Sequence, residues 1–159
     1  MSDSRPRQDL VGEAIEAVYR EHHNSLLRFA WLLTGRREDA EDVVHGTFLR
    51  FAQVEPEPTN PGAYLRTMVM NAIKDLRRER GRYSPAPLPD LPQFSPESQE
   101  RWDVLRVLSD DQREVIVLRY HDDLTQEEIA QVLDCPIGTV RTRISRGLSR
   151  LRKAYHDSN

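Results

Sequence analysis

The chain has 159 residues, of which 38% are hydrophobic and 31% charged, and its formal net charge is −3. This composition is typical of a folded protein of one or two small domains and excludes an intrinsically disordered chain. The sequence has no apolar run near the roughly 18–20 residues that span a bilayer, no apolar secretory signal and a single cysteine. We therefore expect a cytoplasmic protein without membrane insertion and without an internal disulfide.

The amino-terminal part of the chain predicts two helices. Apolar residues recur at helical spacing from Val11 to Trp31, and Gly35 ends this pattern. A second stripe of the same spacing runs from Ala40 to Phe51. No segment alternates convincingly with a period of two, so the pattern favours helices over strands.

A third helix is predicted to begin at Asn60. This residue is a favourable cap, and Pro61 behind it stands where its missing N–H costs nothing. The expected buried face of this helix comprises Tyr64, Leu65, Met68, Val69, Ala72, Ile73 and Leu76.

A proline-rich segment then divides the chain. Residues 84–98 contain five prolines, with acidic residues and no basic ones, and cannot form a helix. We expect an all-α protein with two small helical domains, 1–83 and 101–159, joined by an extended linker over 84–100.

The carboxyl-terminal part has the pattern of a helix-turn-helix. Ser109 with Gln112 and Thr125 with Glu128 are two capping boxes, each opening a helix. A short turn, "DCPIG", precedes a longer basic helix, which is the order of a helix-turn-helix. The predicted helices are Asp110–His121, Gln126–Leu133 and a last helix ending near Ala154.

Charge is sorted along this part of the chain. Eight acidic residues lie in 110–134, and six basic residues with no acidic one lie in 141–153. A second basic run ends near residue 82. Two local basic surfaces on a mildly acidic chain indicate a polyanionic partner at defined places.

The last helix has one apolar and one basic face. Val140, Ile144, Leu148 and Leu151 lie within about 80° of one another on a helical wheel, so we expect them in the core. The opposite face mixes hydroxyl and guanidinium groups, which suits a DNA major groove. The candidate DNA-binding residues are Thr125, Thr139, Arg141, Thr142, Arg143, Ser145, Arg146 and Arg150, with Thr125 either capping its helix or also contacting a phosphate.

With these motifs in view, the chain resembles a bacterial sigma factor of the extracytoplasmic-function (ECF) group, in the sigma-70 family. "GRREDAEDVVHGTFLRFAQ" is similar to the polymerase-binding part of the sigma-2 domain, and "NPGAYLRTMVMNAIKDLRRERGR" to its promoter-melting part. "LSDDQREVIVLRYHDDLTQEEIAQVLDCPIGTVRTRISRGLSRLRK" is similar to the sigma-4 domain. The resemblance implies a transcription initiation factor that binds core RNA polymerase, directs it to promoters and assists melting. It implies no catalysis, cofactor or metal, and suggests an anti-sigma partner.

The resemblance also implies roles for residues of the first domain. Those expected to dock on the polymerase are Asp39, Glu41, Asp42, Phe48 and Leu49; Phe48 is equally explained as a core residue. Those expected at the −10 promoter element are Tyr64, Arg66, Asn71, Lys74, Arg77 and Arg78. Tyr64 either packs in the core or stacks on DNA. The last helix of the chain would read the −35 element.

Three positions depart from the family pattern. His45 and Gly46 stand where Gln and Glu are common, and Gly46 costs roughly 0.5–1 kcal/mol against Ala inside a helix. Asp134 stands in the turn where Gly is usual, and Asp tolerates left-handed backbone angles better than most residues.

The linker either occupies the RNA path of the polymerase or acts as an inert tether.

Two other function classes remain to be compared. A DNA-binding regulator with a sensing amino-terminal half would share the helix-turn-helix, but a response-regulator receiver would need strands that the pattern does not predict. A metal-dependent hydrolase would need clustered ligands. His22 and His23 point about 100° apart on a helix, which is poor geometry for one ion.

Overall fold

The protein is described by a computed structural model that covers residues 7–55, 58–81 and 103–159, without the side chains of 7–11. The regular elements of these residues are helices, which confirms the all-α prediction; the expected linker, 84–100, lies outside them. The helices are α1 (Arg7–Thr34), α2 (Arg37–Phe51), α3 (Pro61–Arg80), α4 (Asp110–Ile116) continued by a π-helical segment (Val117–His121), α5 (Gln126–Leu133) and α6 (Ile137–Ser158).

Helices α1, α2 and α3 pack on one another and form what we call the first module. Its core contains Phe29 and Trp31 from α1 and Val44 from α2, all at most 1% exposed. Gly35 ends α1 as predicted, because its φ of +68° is a left-handed angle that glycine adopts without steric cost.

Helix α3 begins at the predicted cap. The Asn60 side chain accepts a hydrogen bond from the Ala63 backbone N–H at 3.1 Å, and Pro61 occupies the first helical position. The buried face differs from the predicted one at two residues. Met70 is fully buried, whereas Tyr64 is 40% exposed. The Tyr64 ring lies beside the buried Phe51 ring, with the two ring centroids 6.1 Å apart.

Helices α4, α5 and α6, with the π-helical segment, form the second module. Both capping boxes are present as predicted, at Ser109 and at Thr125. Asp134 closes α5 with a φ of +50°, so the turn keeps the left-handed residue that glycine usually supplies. Gly147 of α6 lies against α4, where a Cβ would come within 3.1 Å of the Ile116 side chain.

The helix that begins at Asp110 does not stay α-helical to His121. From Val117 onward its turns widen to π-helical hydrogen bonding, and Asp122 N–H donates to the Val117 carbonyl at 3.2 Å. Asp123 then adopts a φ of +55°. Such π turns are frequent at functional sites and redirect the residues that follow them.

The two modules are in contact in this structure. Helix α1 packs against α4 and the π-helical segment, and α3 packs against α5. Buried residues of both modules form one continuous hydrophobic cluster. Among the described helices, none combines the length and apolar character needed to cross a bilayer.

Candidate nucleic-acid interface

Helix α6 presents the face that its sequence predicts. Val140 is fully buried and Ile144 is 7% exposed, so this side holds the helix on α4 and α5. The other two residues predicted for this face, Leu148 and Leu151, are partly buried and pack against the core. The opposite side is exposed and basic. Its exposed candidates are Arg141, Thr142, Ser145, Arg146 and Arg150.

The first turns of α6 are held in place by local hydrogen bonds. Arg141 Nε donates to Gln126 Oε1 of α5 at 3.1 Å, and Thr142 Oγ1 donates to the Gly138 carbonyl at 3.0 Å. These contacts fix the helix start, which is the part of a recognition helix that reaches base edges.

Three further candidates of this group have other immediate surroundings. Arg143 is half-buried and lies 3.6 Å from an Asp111 carboxylate oxygen of α4, and Thr139 is half-buried. Thr125 Oγ1 accepts from the Glu128 N–H at 3.2 Å, so its capping role is seen directly. Its phosphate contact stays a prediction.

The structure divides the six candidates of α3 between two sides of the helix. Tyr64, Asn71 and Arg78 are exposed, and the Arg78 side chain is 79% accessible with Asp75 3.7 Å away. Lys74 is half-buried between the two sides. The exposed trio remains available to a DNA strand as the structure stands.

The other two candidates of α3, Arg66 and Arg77, face the second module. Arg66 Nε donates to Asp122 Oδ2 at 2.6 Å. Arg77 pairs with Glu114 and lies 3.8 Å from Asp110, and it also donates to the Leu33 carbonyl at 3.4 Å. Both guanidinium groups are therefore occupied by carboxylates of α4 and of the residue after the π-helical segment.

Burial shapes the electrostatics of this contact. Burial raises the pKa of Glu114 above the ordinary 4.5, because loss of solvation outweighs the attraction of Arg77 and Lys74. A carboxylate so poorly hydrated depends on its arginine partner.

The candidates for polymerase docking on α2 are also split. Asp39 is buried and accepts from Arg80 at 2.7 Å, so it ties α2 to α3 and does not form part of the exposed rim. Glu41 and Asp42 are exposed, and Leu49 is 58% exposed. Phe48 is buried next to the Tyr19 ring, with centroids 4.9 Å apart, which agrees with its reading as a core residue.

The histidines do not gather ligands for a metal. Over 7–55, 58–81 and 103–159, three or more His, Cys, Asp or Glu side chains never come together in a metal-binding arrangement. His22 instead lines an open cavity of about 220 Å³ between α1, the start of α3 and Asp122.

Sequence reasoning missed the partners of Arg66, Arg77 and Asp39. A signal was present, because the acidic residues of 110–134 have the opposite charge to the basic run of α3. Opposite charge alone does not say which residues pair across 37 or 56 positions of sequence.

Comparison with known proteins gives two family matches. Residues 18–83 match Sigma-70 region 2, and residues 104–153 match Sigma-70, region 4. The ECF RNA polymerase sigma factor SigE of Mycolicibacterium smegmatis is 32% identical over 90% of this chain, which spans only 63% of that protein. The RNA polymerase sigma-E factor of Streptomyces coelicolor is 30% identical, over 90% of this chain and 88% of that protein.

Two solved structures have a similar fold. The sigma factor RpoE of Bartonella quintana, solved with the anti-sigma factor NepR, has a TM-score of 0.71 and 27% identity, covering 89% of this chain and 96% of its own. CnrH, solved with the cytosolic domain of CnrY, has a TM-score of 0.67 and 26% identity, covering 93% and 90%.

Proposed function

This chain belongs to the sigma-70 family of RNA polymerase sigma factors, and we propose that it binds core RNA polymerase, directs it to promoters and assists melting. It acts as an initiation factor in the cytoplasm and not as an enzyme. The proposal is supported above all by the exposed basic face of α6, which follows a capped helix and a tight turn.

That face suits the −35 element. Arg141 and Arg146 are both exposed and stand more than one turn apart on α6. Their guanidinium groups can reach guanine edges while hydroxyl groups between them contact bases or phosphates. The buried Val140 and Ile144 on the other side keep this face turned away from the module.

We assign recognition of the −10 element to α3. Tyr64 offers an exposed ring for stacking on an unpaired base, and Asn71 and Arg78 lie on the same side of the helix. Arg66, Lys74 and Arg77 complete the basic set once the second module is no longer packed on them.

Polymerase docking is assigned to the exposed surface of α2. Asp42 and Leu49 are seven residues apart and therefore share one helix face, with Glu41 beside them. An acidic rim around an exposed leucine suits a basic helical partner surface on the polymerase.

An anti-sigma partner is part of the proposal. The RpoE and CnrH structures were each solved with a bound partner, NepR and the cytosolic domain of CnrY, the first of them an anti-sigma factor. A corresponding partner of this chain would have to prevent its co-elution with core polymerase, and a protein that binds the chain without doing so is not that partner.

Run-off transcription on a pool of genomic fragments tests the function. Purified core polymerase is combined with the chain, and discrete transcripts are expected that core polymerase alone does not make. Arg146→Ala should weaken initiation at those promoters by about 1–3 kcal/mol of lost discrimination, roughly 5- to 150-fold.

Arg152→Ala is the matched control, since it removes the same charge from an exposed position farther along α6. We expect it to leave the transcripts nearly unchanged. Equal losses in both variants would mean that α6 contributes only general charge, and absence of new transcripts would refute the function.

A further inference from the structure

One arginine at the start of α6 is held by a residue of the preceding helix. Arg141 Nε donates a hydrogen bond to Gln126 Oε1 of α5, with the two atoms 3.1 Å apart. The two residues are 15 positions apart in the sequence, so the bond joins the two helices of the helix-turn-helix. Neither the sequence pattern nor the family resemblance assigns a role to Gln126.

The local structure fixes both ends of this hydrogen bond. Gln126 is the first residue of α5 and directly follows Thr125, whose capping box holds the first turn of that helix. Arg141 directly follows Val140, which is fully buried, and Ile129 of α5 is fully buried as well. Because α5 and α6 pack on each other, the starts of the two helices keep a constant separation.

The bond restricts how the Arg141 guanidinium group can be used. A guanidinium group carries five N–H donors in one plane. With the Nε–H directed at Gln126, the four donors on the two terminal nitrogens remain, on the edge of the group that points away from its stem. Guanine presents its O6 and N7 acceptors side by side in the major groove, and two donors of one guanidinium group match them. Arg141 is exposed, so this terminal edge can reach a base.

The neutral amide acceptor distinguishes Arg141 from Arg143, the other arginine of this turn. A terminal nitrogen of Arg143 lies 3.6 Å from an Asp111 carboxylate oxygen. A carboxylate there carries the same charge as a phosphate and competes with DNA for the terminal nitrogens. Gln126 has no charge and engages only Nε. It therefore holds Arg141 without neutralising its charge or covering its terminal nitrogens.

We propose that Gln126 is a positioning residue that orients Arg141 for the recognition of one guanine in the upstream promoter element. The proposal rests on the proposed function of α6. A flexible arginine loses side-chain freedom when it forms two bonds to guanine, and this loss weakens its binding. Arg141 has already lost part of that freedom in the folded chain. Its preference for guanine over other bases is therefore larger than that of an unsupported arginine.

A promoter library with a randomised upstream element tests the proposal. Core polymerase and the full-length chain transcribe the library, and sequencing of barcoded transcripts gives the base preference at each position. Arg141→Ala identifies the position that Arg141 reads, because the guanine preference disappears there. Gln126→Met removes the acceptor and keeps an unbranched side chain of similar length.

We expect Gln126→Met to lower the guanine preference at that position by about 2- to 12-fold, the cost of ordering one long side chain. Preferences at the other positions should stay unchanged. Gln131→Met is the matched control, because Gln131 is an exposed glutamine of the same helix and is not the acceptor of the Arg141 bond. Gln126→Met combined with Arg141→Ala should match Arg141→Ala alone, since Gln126 acts only through Arg141.

Nuclear magnetic resonance of the free chain gives a readout that needs neither DNA nor polymerase. Nitrogen relaxation of the arginine Nε–H groups measures their motion on the picosecond-to-nanosecond timescale. We expect the Arg141 Nε–H group to be more ordered than that of Arg146, which is exposed on the same helix. Gln126→Met should make the two groups alike, whereas Gln131→Met should preserve the difference.

The outcomes separate this inference from the proposed function. The positioning role would be overturned by an Arg141 Nε–H group as mobile as that of Arg146 in the unmodified chain. It would also be overturned if Arg141→Ala abolished no guanine preference, or if Gln126→Met left that preference unchanged. An equal loss at every position of the element would indicate a general effect on folding and would reject it too. Absence of specific transcripts with the unmodified chain would instead reject the proposed function, and this inference with it.

Discussion

Helices α3 and α6 both carry arginines assigned to promoter DNA, but the two sets have opposite surroundings. On α6, Arg141 and Arg146 are exposed. On α3, Arg66 and Arg77 lie against buried carboxylates of the other module. The same residue type is thus presented to solvent in one helix and enclosed in the other.

The difference shows that a basic helix face acquires its role from what covers it. α6 is the last helix of its module, and its arginine face has no other helix of the described chain packed over it. α3 packs on α1 and α2 of its own module and on α5 of the other, and its Arg77 pairs with Glu114 of the acidic α4, so part of its basic surface is used for contacts within the chain. The arginines of α6 are accessible to a ligand, whereas Arg66 and Arg77 of α3 are paired with carboxylates of the other module.

The largest expected effect is a loss of stability when Arg77, but not its neighbour Arg78, is replaced. Arg77→Ala leaves Glu114 buried without its partner, which costs about 3–5 kcal/mol for buried pairs. We expect the lower end of this range, because separation of the modules would let water reach Glu114. The free energy of unfolding from urea denaturation measures the loss.

Arg78→Ala is the control, since it removes the same charge from a side chain that is 79% accessible. Its effect on stability should stay within about 0.5 kcal/mol. If both variants lost the same stability, the enclosed and the exposed arginines of α3 would not differ in the way described.

A smaller effect concerns pH and Glu114. A carboxyl whose pKa is raised binds its proton in the folded chain at a pH where the unfolded chain has already lost it. The destabilising contribution of Glu114 is therefore fully present above its raised pKa and disappears as the pH falls through that value toward 4.5. Arg77 and Lys74 of α3 and Asp111 of α4 are the charged groups that act on it.

Glu114→Gln isolates this contribution, because the amide can still accept from Arg77 but does not ionise. Urea denaturation at a series of pH values should show the unmodified chain gaining stability relative to the variant as the pH is lowered into that window. A constant difference between the two proteins at every pH would contradict the buried, ionised state of Glu114.

Much of the fold was predictable because its signals are local. Asn60 and Thr125 cap helices through bonds to residues three positions away, and such bonds depend only on nearby sequence. Asp134 was expected to tolerate a left-handed turn, and it does. The core face of α6 followed from helical periodicity.

The remainder depended on packing between distant segments. Periodicity placed Tyr64 with the buried residues of α3, yet Tyr64 is 40% exposed, whereas Met70 is fully buried. Likewise Asp39 carries the charge of a rim residue, but it is buried and accepts a hydrogen bond from Arg80, 41 positions away. Such partners become visible only when the helices are placed together.

Footprinting of the complex of core polymerase and this chain on one promoter tests the central claim most directly. The account predicts protection at two separate promoter elements, with the upstream one weakened by Arg146→Ala and the downstream one by Arg78→Ala. A single protected segment, or loss of the same segment in both variants, would contradict a chain that reads promoter DNA through two separate helical modules.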